Sequence, residues 1–306
     1  MAAISIDCAS LETLHRECPD VENAAAMNAA RKKVLQSIDQ LPPFSPVLRR
    51  LLATVSLDDD EISLPKLADL VQHDTVIAGK VLAIANSALY NRGHEICSIS
   101  NAVFRLGTHR LRNAVLGLSV DLIWNKLRVP DGFSMLRFNE HALATATASE
   151  LLAERLGMDG GHAFIAGLFH DIGQLLIVHA FPSEYGPYLA GLAGGEELAL
   201  VERESFGSTH GDFSAETMAR WNLPANIQSA VRFHENPMRD DSAPCARGRR
   251  LSDIIHAADR FASASGFCVS ANSPDETPGE DALISLGMNA SIIQDAFTRA
   301  FSVFRA

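Results

Sequence analysis

Residues 165–174 read Ile-Ala-Gly-Leu-Phe-His-Asp-Ile-Gly-Gln, which places His170 and Asp171 side by side in an otherwise apolar stretch. A carboxylate in apolar surroundings is costly unless a partner compensates its charge. The doublet is therefore a natural place to look for a metal ion. Because adjacent histidine and aspartate residues often occur by chance, its meaning depends on whether further candidate ligands point toward it.

The composition is that of an ordinary globular protein. The chain has 306 residues, of which 47% are hydrophobic and 21% are charged, and could form one large domain or two. A net charge of −11 argues against non-specific binding to nucleic acid or anionic lipid. The N-terminus lacks the basic region and apolar core of a signal peptide, and no uninterrupted apolar run approaches the ~18 residues of a membrane span.

The cysteines favour a reducing compartment. They are odd in number, scattered, and never spaced as Cys-x-x-Cys, which suits reduced thiols better than disulfides or a thiolate zinc site. They are Cys8, Cys18, Cys97, Cys245 and Cys268. We expect a cytoplasmic protein that neither crosses a membrane nor binds nucleic acid directly.

Helical periodicity dominates the chain and predicts an all-α fold, because no convincing series of alternating strands is present. The turn-rich segment Val129-Pro130-Asp131-Gly132 is the best internal boundary. The predicted segments are an N-terminal helical extension (1–38), a helical block (39–128), a second helical block (129–269), and a mobile loop with a C-terminal helix (270–306).

Several polar side chains lie on the apolar faces of predicted helices. Asp259 follows Ile255 by four residues, so its carboxylate points inward. His210 follows Thr209, which together with Asp212 resembles a capping box at a helix start. Five helical segments thus direct six polar side chains toward the core: His141, His170, Asp171, His210, His234 and Asp259.

A single buried histidine is more often hydrogen-bonded to the backbone than bound to a metal, because buried polar groups find partners. Two inward aspartates among four inward histidines favour metal binding for the set. Imidazole and carboxylate ligands together suit a divalent ion such as iron, manganese or zinc. The sequence therefore predicts one or two divalent metal ions.

The spacing of these residues resembles that of a known superfamily. His141, the His170-Asp171 doublet and Asp259 resemble the His…His-Asp…Asp pattern of HD-domain metal-dependent phosphohydrolases. The upstream half then resembles the HDOD family, an HD-related output domain of bacterial signalling proteins, over residues 38–262. The segments that carry this second resemblance are Leu41–Pro43, Leu67–Asp74, Ala85–Tyr90 and Ile99–Gly107. It implies two packed helical halves, 39–128 and 129–269, with the C-terminal half HD-like and bearing the metal site.

Departures from the catalytic relatives bear on activity. All six candidate ligands match ligand positions of the HD-GYP phosphodiesterases, which cleave cyclic di-GMP. Three positions differ: Gln174 replaces a lysine, Phe233 replaces the first of two adjacent histidines, and Arg137 replaces a glutamate ligand. These losses suit a site with one or two metal ions better than three, and weaken a cyclic di-GMP assignment.

The resemblance also implies how the ligands divide. Asp171 would bridge two ions, with His141, His170 and Asp259 at one ion and His210 and His234 at the other. If the protein is an enzyme, His170 and Asp171 are the catalytic residues. Arg137, one helical turn before His141, is a low-ranked candidate for phosphate binding. Its alternatives are a pairing with Asp259 or a solvated position at the helix end.

Two classes of function remain open. The first is a signalling module that binds a partner protein or a nucleotide ligand. The second is an active metal-dependent phosphohydrolase acting on a nucleotide or a cyclic dinucleotide. Asn86, Ser87 and Tyr90 of the upstream half suit contact with a partner, although local capping is the favoured explanation for Asn86 and Ser87. Residues 1–38 are too short for a further domain and would cap the fold or mediate self-association.

Overall fold

A computed structural model describes residues 21–41, 46–53, 63–87, 89–90, 93–124, 127, 129–131, 133–183, 196–269 and 279–304. Within these ranges the chain is helical and has no β-strand, apart from an isolated bridge between Ala246 and Arg249. The all-α prediction is confirmed. Residues 270–278 of the predicted mobile loop lie outside the described residues.

The helices are numbered in chain order. The first five are α1 (Val21–Ser37), α2 (Pro46–Ala53), α3 (Leu64–Gln72), α4 (Thr75–Ala85) and α5 (Ile99–Trp124). The next five are α6 (Met135–Leu156), α7 (Gly160–Phe169), α8 (Ile172–Ala180), α9 (Glu196–Phe206) and α10 (His210–Arg220). The last four are α11 (Ala225–Arg232), α12 (Leu251–Ala264), α13 (Gly279–Ser285) and α14 (Ala290–Phe301).

The buried apolar side chains form two separate clusters, which confirms the two packed halves. The smaller cluster joins α3, α4 and the first part of α5 with Leu51 of α2. The larger cluster joins α1, Leu48 and Leu52 of α2, and the helices from α6 onward. Helix α5 belongs to both, since Val115 lies in the smaller cluster and Leu116 and Trp124 lie in the larger one. It bends at Gly107, whose φ of 75° is one that other residues rarely adopt.

The described part of the N-terminal extension packs on the second half. Helix α1 contacts α8 and α9. Val34 is fully buried in the larger cluster, and Arg31 Nε donates a hydrogen bond of 3.0 Å to Ser208 Oγ. Since Ser208 lies two residues before His210, α1 supports the region of the candidate site.

Helices α7 and α8 form the apolar centre of the second half. Together they cover Gly160–Ala180, which by length and mean hydropathy of 1.4 could cross a membrane. The expectation concerned uninterrupted apolar runs, and this stretch is interrupted by His170, Asp171 and Gln174. Because 94% of the most apolar 18-residue segment of this stretch is buried inside the fold, α7 and α8 have the composition of core helices.

Candidate metal centre

The turn between α7 and α8 presents the doublet to the interior. His170 is the residue after α7 and Asp171 the residue before α8, and both are buried. The Asp171 side chain does not cap the helix that it precedes, so both carboxylate oxygens face neighbouring histidines. The chain reversal therefore converts two adjacent residues into two inward-facing ligands.

His210 is fixed at the first position of α10. Thr209 and Asp212 form the predicted capping box, in which each side chain accepts a hydrogen bond from the backbone of the other residue. In addition, Glu202 Oε2 accepts hydrogen bonds from the backbone N–H of His210 at 2.6 Å and from its Nδ1 at 2.7 Å. Both side chains are fully buried, so the ring orientation is held from two directions.

One group of candidate ligand atoms lies around Oδ2 of Asp171. Asp171 Oδ2 lies 3.5 Å from His141 Nε2 and 3.3 Å from His170 Nε2. Asp259 Oδ1 lies 3.1 Å from the same nitrogen of His141 and 3.8 Å from that of His170. We call these four residues the first ligand group.

A second group gathers around the other oxygen of the same carboxylate. Asp171 Oδ1 lies 3.5 Å from His210 Nε2 and 3.6 Å from His234 Nε2. Glu235 Oε1 lies 3.5 Å from the His210 nitrogen and 3.8 Å from the His234 nitrogen. Asp171, His210, His234 and Glu235 form the second ligand group, so Asp171 belongs to both.

All four histidines direct Nε2 into the centre because Nδ1 is engaged outside it. Nδ1 of His141 donates to Phe267 O at 2.7 Å, that of His170 to Gly167 O at 2.7 Å, and that of His234 to Val231 O at 2.6 Å. The fourth, His210, donates to Glu202. Outer partners of this kind fix the tautomer and orientation of metal-binding histidines.

The Nε2 atoms of the four histidines face one another in two pairs. Nε2 of His141 and His170 lie 3.2 Å apart, as do Nε2 of His210 and His234. Two neutral rings in this tautomer would place lone pair against lone pair, which only a shared proton or a cation relieves. The donor set of histidine and carboxylate fits divalent iron, manganese or zinc.

The pKa values show how strongly the centre attracts positive charge. Burial lowers the pKa of His141, but its hydrogen bond with Asp259 and the charges of Asp259 and Asp171 raise it to about 9. Burial raises the pKa of Asp259, but His141 and His170 bring it down to about 2. Likewise, His170 foremost holds the pKa of Asp171 well below its usual range against the effect of burial. A metal cation competes with protons for these groups.

The structure brings together all six predicted ligands and adds two glutamates that the sequence did not indicate. Glu235 directly follows His234, so the substitution at Phe233 is offset by a carboxylate on the other side of the histidine. The signal available in the sequence was a glutamate directly after the candidate ligand His234. Glu202 lies eight residues before His210 on another helix, and no sequence pattern relates the two.

Gln174 and Arg137, the other two departures from the pattern of the catalytic relatives, differ in burial. Gln174 is buried, and its Oε1 has no hydrogen-bond partner among the described residues, which is costly for an amide oxygen. Arg137 is exposed in the first turn of α6 and makes no ion pair with Asp259. Its role in phosphate binding stays a prediction.

Asn86 has a local structural role. Its Nδ2 donates to Leu82 O at 3.0 Å and to Ile96 O at 2.8 Å, while its Oδ1 accepts from Ile96 N at 2.8 Å. These bonds join the end of α4 to the segment before α5. The capping alternative therefore accounts for Asn86 without a partner protein.

Glu202→Gln tests the outer support of the second ligand group. Glutamine retains an acceptor oxygen but lacks the charge that holds His210, so we expect affinity for one metal ion to fall by about 10- to 100-fold. A metal titration of apoprotein measures this. The exposed Glu204→Gln, on the same helix, should leave affinity unchanged; equal affinities for both variants would contradict the assigned role of Glu202.

Comparison of this chain with known proteins identifies a matching protein family. The HDOD domain family matches residues 41–237. An HDOD domain protein of unknown function from Geobacter sulfurreducens has a TM-score of 0.71 at 22% identity, covering 92% of this chain and 97% of that one. A predicted phosphohydrolase from Shewanella amazonensis SB2B has a TM-score of 0.67 at 24% identity, covering 89% and 96%.

Two further relatives have longer chains. A predicted signal transduction protein from Marinobacter aquaeolei VT8 has a TM-score of 0.64 at 20% identity, covering 94% of this chain and 66% of that one. An uncharacterized protein of Treponema pallidum (strain Nichols) is 22% identical over 216 residues, which is 66% of this chain and 39% of the relative. This chain thus spans less than half of that relative's length. At sequence identities of 20–24%, the TM-scores of these solved structures establish a common fold and nothing more.

Proposed function

Because this chain belongs to the HDOD family, we propose that it is a regulatory signalling protein that retains an HD-type centre for two divalent metal ions. In this proposal it acts by binding a partner protein or a small ligand. The likeness to a predicted signal transduction protein supports the regulatory role. The metal centre is what distinguishes this chain from a purely structural helical module.

The position of Asp171 carries the proposal. Its two oxygens face two separate groups of histidine and carboxylate ligands, and each histidine is held in the orientation that presents Nε2. A buried carboxylate among four histidines is otherwise costly. Iron, manganese and zinc are the candidate ions, with the donor set favouring none of the three.

Metal analysis tests this proposal directly. We expect protein purified without chelators to contain about two divalent ions per chain, measured by elemental analysis. Removal of the ions should lower the thermal midpoint, since a ligand at 1,000 times its Kd stabilises the native state by about 4 kcal/mol. A metal-free protein that binds no added manganese, iron or zinc would contradict the proposal.

An active phosphohydrolase is the second candidate function. It is supported by the likeness to a predicted phosphohydrolase and by the partial exposure of the outermost carboxylates, Asp259 at 20% and Glu235 at 19%. Both groups can therefore be reached from solvent, whereas the histidines cannot. Two divalent ions would supply Lewis acidity that activates water and polarises a phosphate oxygen.

In that reaction the chain's own residues would position the reacting groups. The carbonyls of Phe267, Gly167 and Val231 keep three imidazole rings from rotating, so that Nε2 of each stays directed inward. Asp171 would keep the first and second ligand groups at a fixed distance from each other. Burial of these residues limits the entry of bulk water.

Turnover decides between the two candidates. Protein loaded with manganese or iron is assayed against nucleotide and phosphodiester substrates, with His170→Ala as the control. Hydrolysis that depends on His170 would support the enzyme. Equal rates for both proteins would exclude the hydrolase and leave the metal-bearing signalling module.

A further inference from the structure

A cavity of about 480 Å³ opens beside the second ligand group. Its wall includes Glu235, whose carboxylate also faces His210 and His234, and it continues along α9 and the segment after α11. The volume lies within the ~300–1,000 Å³ typical of small-molecule pockets. The cavity and the candidate metal centre therefore share one wall.

Three arginines line this cavity in a protein whose net charge is −11: Arg203, Arg232 and Arg239. Among the residues that the structure describes, no carboxylate forms an ion pair with Arg203 or Arg239. Arg232 makes a single exposed contact, of 3.7 Å, with Asp212. A guanidinium group matches the oxygens of a phosphate in geometry and charge, so this cluster favours a phosphate-bearing ligand.

Two large apolar side chains form another part of the wall. Leu200 is 56% exposed on α9, and Phe233 is partly buried next to His234. An aromatic ring beside a cluster of cations suits a molecule that joins a phosphate to a planar base, because bases stack on aromatic side chains. Inorganic phosphate alone would leave the apolar part of the wall without a partner.

We propose that this cavity binds a nucleoside monophosphate, with its phosphate among Arg203, Arg232 and Arg239 and its base along Leu200 and Phe233. The proposal rests on the proposed function in one respect: a metal ion in the second ligand group would offset the negative charge of Glu235 in the shared wall. The phosphate then lies beside the candidate metal centre. In a signalling protein the bound nucleotide is the regulatory ligand, and in a phosphohydrolase it is the substrate.

Binding of fluorescent AMP and GMP to the metal-loaded full chain tests this. We expect saturable binding, and affinity about 10- to 100-fold weaker for Arg203→Gln and for Arg239→Gln, each of which removes a charged hydrogen-bond donor. Both side chains are exposed and lack ion-pair partners among the described residues, so the variants should fold normally. The matched control is Arg155→Gln, an exposed arginine near the far end of α6 from His141.

Competitors and metal analysis separate the outcomes. Unlabelled AMP should displace the probe, whereas adenosine or inorganic phosphate alone should do so much more weakly. Displacement by inorganic phosphate at the same concentration as AMP would overturn the nucleotide assignment. So would equal affinities in all variants, or no binding to protein of full metal content. If the protein takes up no added manganese, iron or zinc but still binds the nucleotide in an arginine-dependent way, the cavity is supported and the metal centre is contradicted.

Discussion

We expect the Asp171→Ala protein to lose both metal ions, whereas loss of an outer carboxylate should remove one. Asp171 belongs to both groups because its two oxygens face different histidines, Oδ2 at 3.3 Å from His170 and Oδ1 at 3.5 Å from His210. Asp259 contacts only the first group and Glu235 only the second. Replacing Asp171 should therefore cause the largest loss of metal, because this residue belongs to both ligand groups and the other carboxylates belong to one each.

Elemental analysis of the three alanine variants measures this difference. Wild-type protein should contain about two ions per chain, Asp259→Ala and Glu235→Ala about one each, and Asp171→Ala none. Circular dichroism checks that each variant is folded. Full metal content in Asp171→Ala would show that the ligand assignment is wrong.

We expect Gly173→Ala to damage both folding and the second ligand group. A Cβ at this position would lie 2.0 Å from the carbonyl oxygen of His210 and 2.7 Å from its carbonyl carbon. The obstacle is backbone, which cannot rotate away as a side chain can. Helix α8 would have to separate from α10, breaking the 2.8 Å hydrogen bond from Gly173 N to Ser214 Oγ.

Denaturant unfolding of metal-free protein should show a loss of about 3 kcal/mol or more, since overpacking costs 1–3 kcal/mol even where side chains can adjust. The matched control is Gly79→Ala in α4, where a Cβ meets nothing within 4 Å. This change should stabilise the protein by about 0.4–1 kcal/mol. Equal unfolding midpoints for the two variants would contradict the close approach of α8 to α10.

Much of this structure could be anticipated from local patterns. The 3.6-residue periodicity indicates which face of a helix is buried, and it directed His141 and Asp259 inward without knowledge of their neighbours. The capping box at Thr209 similarly located the start of α10. The same reasoning could not find Glu202, because its hydrogen bond to His210 depends on how α9 packs against α10.

Substitutions relative to a family pattern were harder to interpret. Phe233 replaces a histidine, which by itself suggests a lost ligand, yet Glu235 lies within 3.8 Å of both histidines of its group. Whether the residue before or after His234 faces the centre depends on the backbone direction where α11 ends. That direction is a tertiary property.

The sequence by itself determined the helical class of the protein, its two halves, and six polar side chains directed toward one core. Only the tertiary structure decided how His170-Asp171 is used: one oxygen of Asp171 faces the first ligand group and the other faces the second. The physical reason is that periodicity specifies a face of each helix, whereas distances between ligands on different helices depend on packing. Contacts such as that of Gly173 against the His210 backbone determine that packing.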